Sequence, residues 1–370
     1  MTTPPPGQWP PPPPSAPPPG PPSWGPPQPW NQQPPPSGGS RSKWILGALA
    51  LLVVVVVTVV ATLLFTRDGS GEGPPIASST PSTSVDTPDI ASADDRDPVG
   101  IILEDPTCQS WTPIAAAFAH ASANGWDTRD PAIPATQWTA EQKDQYEAVG
   151  AALRDGADRT VDLARKTPHR VMRELYEQFI AYSRAYVEQI PDYTAASDHL
   201  ARVSIGISTT LNAVCDSITY GAAGARSPLV ARAAPPKEFG AAGDPEQAER
   251  FLPSPNSVCP EWLSAAKQFS NDTAAWRSID PNTPASGLDP AQRAINAQVM
   301  PVMNTFADDT QRLGRRSDNT VWADLATFSA QYRRAYSSAL LTYAPADNDL
   351  QIAASNLAGA ISEACRAVGA

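Results

Sequence analysis

Cys108-Gln109-Ser110-Trp111 and Cys259-Pro260-Glu261-Trp262 open two copies of one pattern, and that pattern decides the fold. After a one-residue gap between the first and second Trp of each copy, the two halves keep one constant offset to the end of the chain. Trp126 then matches Trp276, Asp130-Pro131 matches Asp280-Pro281, and Asp158 matches Asp308. The string Tyr182-Ser183-Arg184-Ala185-Tyr186 matches Tyr332-Arg333-Arg334-Ala335-Tyr336, Tyr193 matches Tyr343, and Cys215 matches Cys365. So many coincidences at one offset mark a tandem duplication, with copies at 105–220 and 256–370.

Within a copy the apolar spacing is helical. Leu200, Val203, Ile207, Leu211, Val214 and Ile218 recur every three or four residues, as on one face of a helix and not of a strand. Four helices are expected per copy. The first runs from the Cys-x-x-Trp motif, and a loop rich in Pro and Asp follows it. The second starts at Thr139 in copy one and at Asp289-Pro290 in copy two, a capping residue with Pro at the first helical position. The third opens at Thr167-Pro168 or Ser317-Asp318, and the fourth spans about 194–218. Pro301 lies inside the second helix of copy two and predicts a kink there. Short connections favour an up-down-up-down bundle.

That topology puts the start of helix one and the end of helix four at the same pole, where the Cys residues fall. Four Cys allow three pairings. Duplication selects Cys108–Cys215 and Cys259–Cys365, because each copy inherits its own pair. Four free thiols or a metal site is the rival reading. No CxxC spacing supports a metal, and no His recurs beside the Cys positions.

The remainder of the chain differs in character. Residues 1–43 are dense in Pro, punctuated by Trp9, Trp24 and Trp30, and hold only two charges, Arg41 and Lys43. Pro removes backbone donors and fixes φ, so a disordered tail of polyproline II character is expected. Such a tail suits docking of a cytoplasmic protein with an aromatic-lined groove; a bland spacer is the alternative. The uncharged run Trp44–Phe65, WILGALALLVVVVVTVVATLLF, spans roughly 33 Å as a helix against a bilayer core of about 30 Å. It reads as an uncleaved transmembrane signal anchor. Arg41 and Lys43 before it, against Arg67 after it, favour a cytoplasmic N-terminus. Residues 66–104 read as a Ser/Thr/Pro linker, and the SSTPSTS stretch within it as a candidate for O-linked sugars. Residues 221–255 read as a second linker, between the copies. The expected fold class is therefore an all-α ectodomain with two tandem disulfide-tied four-helix-bundle-like units, plus one transmembrane helix and a disordered Pro-rich tail.

All 38 Asp and Glu, but not all 27 Lys and Arg, lie beyond Phe65. So acidic a portion excludes nucleic acid as its partner. No GxSxG, HExxH, P-loop or GxGxxG motif occurs, and no cofactor or metal is expected. The three His, His120, His169 and His199, all lie in copy one and have no His counterparts. The shared polar and aromatic set is more informative: Trp126, Asp130, Arg184, Tyr186 and Tyr193, with Trp276, Asp280, Arg334, Tyr336 and Tyr343. In the expected bundle these fall at the pole opposite the disulfide. They form either an Asp–Arg pair with packed aromatics anchoring the Pro-rich loop, or a small-ligand cleft.

The layout of Pro-rich tail, signal anchor, Ser/Thr/Pro stalk and Cys-tied, Ala-rich exterior resembles the proline-rich single-pass membrane proteins of mycobacteria and related actinobacteria. That resemblance implies a cell-envelope location, with the C-terminal part outside the cytoplasm, and carries no functional residues over. The expected role is non-enzymatic: an envelope-facing binding or scaffold protein with a single membrane span, whose exterior takes an envelope protein or a small ligand. A signalling receptor with ligand-binding bundles and an envelope enzyme using carboxylates are the alternatives.

Overall fold

Thr139 and Asp289 stop the preceding loops in the same way. Each side chain accepts from the amide three residues on, Gln142 N at 3.2 Å and Gln292 N at 2.8 Å, and each of those Gln side chains returns a bond to the cap residue's own amide. These reciprocal caps satisfy two orphan donors apiece and start the longest helix of each copy. The computed structural model describes residues 90–370. In copy one the helices are α1 (Cys108–Ser122), α2 (Ala140–Lys166), α3 (Arg170–Gln189) and α4 (Asp198–Thr219). A short α5 (Ala222–Arg226) follows, and copy two repeats the set as α6 (Cys259–Asp272), α7 (Pro290–Arg316), α8 (Thr320–Ala339) and α9 (Asn348–Ala367). In each copy successive helices pack side by side and the fourth returns to the first, closing a four-helix ring.

One local expectation shifts. Ser317-Asp318 does not cap α8. Asp318 sits at φ 54°, a left-handed turn, and Asn319 takes over as cap, accepting from Trp322 N at 2.9 Å. Pro301 is carried inside α7, which runs unbroken from Pro290 to Arg316.

Both disulfides pair as the duplication requires, Cys108 with Cys215 and Cys259 with Cys365. Beside each, a fully buried Trp hangs from the first helix. Trp111 donates to Asn212 Oδ1 at 2.7 Å and Trp262 to Ser362 Oγ at 3.1 Å, at matching positions of α4 and α9. A buried indole needs its N–H bonded, and both copies use the fourth helix to do it.

The two described copies form one compact unit. Copy packs on copy through α4 against α9 and α3 against α8. The approach at the first contact is close, since a Cβ on Gly206 would lie 3.0 Å from both Asn356 O and the Ala360 Cβ. Ala353, Ala354, Ala358 and Ala360 are all buried on α9, so small side chains let the two helices meet. At the second contact Arg170 Nε donates to Asp324 Oδ2 at 2.7 Å, and these side chains are only 2% and 5% exposed. Across the first, His199 Nδ1 meets Glu363 Oε2 at 2.7 Å.

The expected linkers also fold onto this body where they are described. Ile90, Val99 and Ile102 are buried, Ala91 N donates to Arg165 O at 2.9 Å, and Ile102 N donates to the Tyr332 hydroxyl of the other copy at 3.3 Å. Between the copies, Phe251 is buried between Tyr182 and Trp322, and Arg226 pairs with Asp347 at 2.7 Å. Both segments thus serve as straps across the joint between copies.

The fold expectation is corrected on the membrane. The Pro-rich tail, the span 44–65 and the SSTPSTS stretch lie outside the described residues, and among the described residues no helix is long and apolar enough to cross a membrane. The structure thus gives the transmembrane helix no support.

Candidate functional site

The pole opposite the disulfides is built on the Pro-rich loop after each first helix. Its frame is the same in both copies. Tyr193 Oη donates to Pro131 O at 3.1 Å, and Tyr343 Oη donates to Pro281 O at 2.6 Å. The same two residues accept at their backbone oxygens from Ala135 N at 3.0 Å and Ala285 N at 2.9 Å. Each Tyr therefore holds both sides of the loop. Behind it, Trp126 Nε1 donates to Tyr186 Oη at 3.2 Å, and the Trp276 and Tyr336 rings meet edge-on at 5.7 Å. Burial pushes the hydroxyls of Tyr186, Tyr193, Tyr336 and Tyr343 well up from their ordinary value, so all four stay protonated donors.

Of the shared residues, then, the structure brings the Trp and the two Tyr of each copy together. The acids and Arg residues go elsewhere. Asp130 accepts from Ala132 N and Asp280 from Asn282 N, both at 2.9 Å, closing the loop's own turn. Arg184 points along the bundle to Asp158 at 2.9 Å, and Arg334 to Asp308 at 2.6 Å. The repeated ion pair therefore links α3 to α2 and α8 to α7, and the expected loop Asp does not join it.

Three features that the shared set does not contain finish copy one. Arg129 lies 3.5 Å over the Trp126 ring and donates through Nε to Asp198 Oδ1 at 3.1 Å. Trp138 stacks on Tyr146 at 3.8 Å and donates to Ile133 O at 3.0 Å. Tyr146 meets Tyr193 edge-on at 4.9 Å. This pole is filled.

Copy two replaces every one of those fillers. Ile279 stands at the Arg129 position, Leu288 at Trp138, Asn296 at Tyr146 and Asn348 at Asp198. The lost ring volume leaves a cleft of about 240 Å³, walled by Trp276, Tyr336 and Tyr343 with Leu288, Asn296 and Gln351. Asn296 is 4% exposed, and its Oδ1 finds no hydrogen-bond partner. Gln351 is already committed, its Oε1 to buried Arg333 at 2.5 Å and its Nε2 to Ser355 at 2.7 Å. Burial pulls the Arg333 guanidinium down to about 10, and its charge faces the Phe269 ring at 4.7 Å instead of a carboxylate. The signal for the cleft was present in the sequence, as large-to-small differences between copies; a search for what the copies share passes over it.

The three His stay apart. His169 Nε2 contacts Glu104 O at 2.9 Å, His199 faces Glu363, and His120 lies in the last turn of α1. Among the described residues no group of His, Cys, Asp and Glu is arranged to hold a metal ion.

The fold and this pole define a disulfide-stapled, duplicated helical-bundle protein. Its family follows from comparison: the chain belongs to the mycobacterial ESX-1 associated proteins, whose family model matches residues 90–369. An uncharacterised protein of Mycolicibacterium smegmatis (strain MKD8) is 44% identical over 325 residues, 88% of this chain and 86% of the relative. No solved structure matches.

Proposed function

We propose that this chain is a non-enzymatic accessory of ESX-1 secretion, acting through its duplicated bundle as a binding or scaffold surface outside the cytoplasm. The observation that carries the reading is the match of the ESX-1 associated family to 90–369, which is nearly the whole of the folded unit described from residue 90 onward. Two features support the rest. Structural disulfides persist in oxidising compartments, and all four Cys of the chain are in such bonds. The two copies are locked together by buried Arg170–Asp324 and by straps from both neighbouring segments, which suits a rigid platform better than a hinged enzyme.

The experiment is deletion of the gene in its mycobacterial host, with export of ESX-1 substrates into culture filtrate as the readout. Loss of export, restored by the full chain, is expected. Unchanged export in the deletion strain refutes the reading.

A further inference from the structure

We propose that the cleft of copy two is a binding site for a small planar aromatic ligand carrying one N–H or O–H donor, of the size of indole. The inference rests on this cleft and on the comparison of copies, and not on the secretion reading.

The two poles share one frame of Trp, Tyr and Tyr, with the same hydrogen bonds from the second Tyr to the loop. In copy one the space inside that frame is occupied by two stacked side chains of this same chain, the Trp138 indole and the Tyr146 phenol. In copy two the frame stands while both rings are gone, replaced by Leu288 and Asn296. A protein interior that merely loses side chains tends to close around the gap, because a void forfeits contacts on its lining. Here the loop is pinned by Tyr343 on both sides and the gap stays open at about 240 Å³. A cavity of about 150 Å³ lined by apolar groups is enough for benzene, so the size admits a bicyclic ring.

The chemistry of the walls selects the ligand further. Trp276, Tyr336 and Tyr343 present ring faces and edges, which favour another aromatic in stacked or edge-on contact. Two of the polar groups on the walls are already committed: Tyr343 Oη to Pro281 O, and Gln351 to Arg333 and Ser355. Asp280 is spent on its turn, and Arg277 on Ser270 O and Thr273 Oγ1. Asn296 Oδ1 is an acceptor buried without a partner. A buried amide oxygen left unbonded destabilises the fold, and a ligand that brings one donor removes that cost. Asn296 therefore asks for an N–H or O–H on a ring, and an anionic ligand would aim a second acceptor at it.

The test uses the full chain with three probes, indole, 1-methylindole and benzoate, in titrations at up to millimolar concentration followed by heteronuclear NMR. Indole is expected to bind with one-to-one stoichiometry and to shift resonances of Trp276 and Asn296, leaving the filled pole around Trp138 unmoved. Methylating the ring nitrogen removes the donor, so 1-methylindole should bind about two- to tenfold more weakly. Leu288→Trp with Asn296→Tyr rebuilds the filling of copy one and should abolish binding. Leu288→Trp alone is the second variant should the double one fail to fold, and it should weaken indole at least tenfold by occupying the ring volume. No indole-dependent shifts at millimolar concentration overturn the proposal. So do equal affinities for indole and 1-methylindole, stronger binding of benzoate than of indole, or indole binding that survives the filled variants.

Discussion

Replacing Arg170 with Met tests how the two copies are joined. In the native chain Arg170 Nε donates to Asp324 Oδ2 at 2.7 Å, while its other nitrogens reach Asp95 O at 2.7 Å and Asp97 O at 3.2 Å. The guanidinium also covers Phe239 at 4.8 Å. Met keeps much of the volume and removes all the donors, leaving Asp324 buried beside a thioether. Breaking a buried pair from one side costs about 3–5 kcal/mol, a large part of the roughly 5–15 kcal/mol that holds a domain folded. The loss should depend on pH. Desolvation already pushes the Asp324 carboxyl up from 3.8, with the Arg170 bond pulling it back. In R170M that restraint is gone and the folded value rises further. Below the unfolded value both states hold the proton and the charge penalty is absent. As pH rises above it, the unfolded chain ionises while the folded one retains the proton, so the penalty grows until the folded carboxyl itself titrates. Glu174 adds in the same direction: burial chiefly raises it, and Arg170 is one of the groups holding it down. Urea unfolding of wild type and R170M at pH 4, 5.5 and 7 measures the difference. A penalty under about 1 kcal/mol at pH 7, or one equal at pH 4 and pH 7, refutes the reasoning. R170M/D324N should recover much of the loss, since it leaves no carboxylate stranded at that position.

Removing the first staple with C108A/C215A should lower stability by roughly 4–5 kcal/mol in the loop-entropy picture, read by the same urea unfolding. Tyr343→Phe deletes the bond to Pro281 O and should cost about 1 kcal/mol by thermal unfolding, with resonance shifts confined to the 276–288 loop. Arg184→Ala should change stability by less than about 1 kcal/mol, because its partner Asp158 is largely in solvent and its second bond, to Glu246 O at 2.7 Å, is exposed as well; a larger loss in the same melt refutes this. Burial and the neighbouring Asp216 raise Asp349 to about 7. Its contribution is therefore highest below the unfolded value near 3.8 and is lost as pH climbs through about 7. Asp349→Asn should flatten that decline, gaining roughly 1 kcal/mol at pH 8 after allowance for solvent screening of this part-exposed group, as a denaturation series from pH 4 to 8 would record.

Most of the duplicated bundle was legible in the sequence because duplication writes each signal twice. The Cys pairing, the caps at Thr139 and Asp289 and the Trp–Tyr–Tyr frame all follow from residues that recur at one offset. The union of the copies was not legible, for a physical reason. Its contact runs through Gly206, Asn356 and a row of Ala on α9, residues that leave no hydrophobic period, and through Arg170 and Asp324, which read as surface charges until burial is known. Arg184 and Arg334 misled because sharing a position shows that a role is repeated without showing where a long side chain reaches. The cleft escaped for the opposite reason: it is made of what the copies do not share, at Trp138 and Leu288, Tyr146 and Asn296.

The placement of the two staples has a mechanical consequence. Each disulfide joins the entry of a bundle to its exit, enclosing separations of 107 and 106 residues. Tension applied between the segment before Cys108 and the C-terminus therefore travels through Cys108–Cys215, along 221–255, and through Cys259–Cys365. Neither ring of helices lies in that load path. A pulled chain can surrender the straps and separate copy from copy, but the residues inside each staple add no length until the sulfurs are reduced. Single-molecule stretching would thus find a short, redox-dependent contour length in a folded unit built of helices.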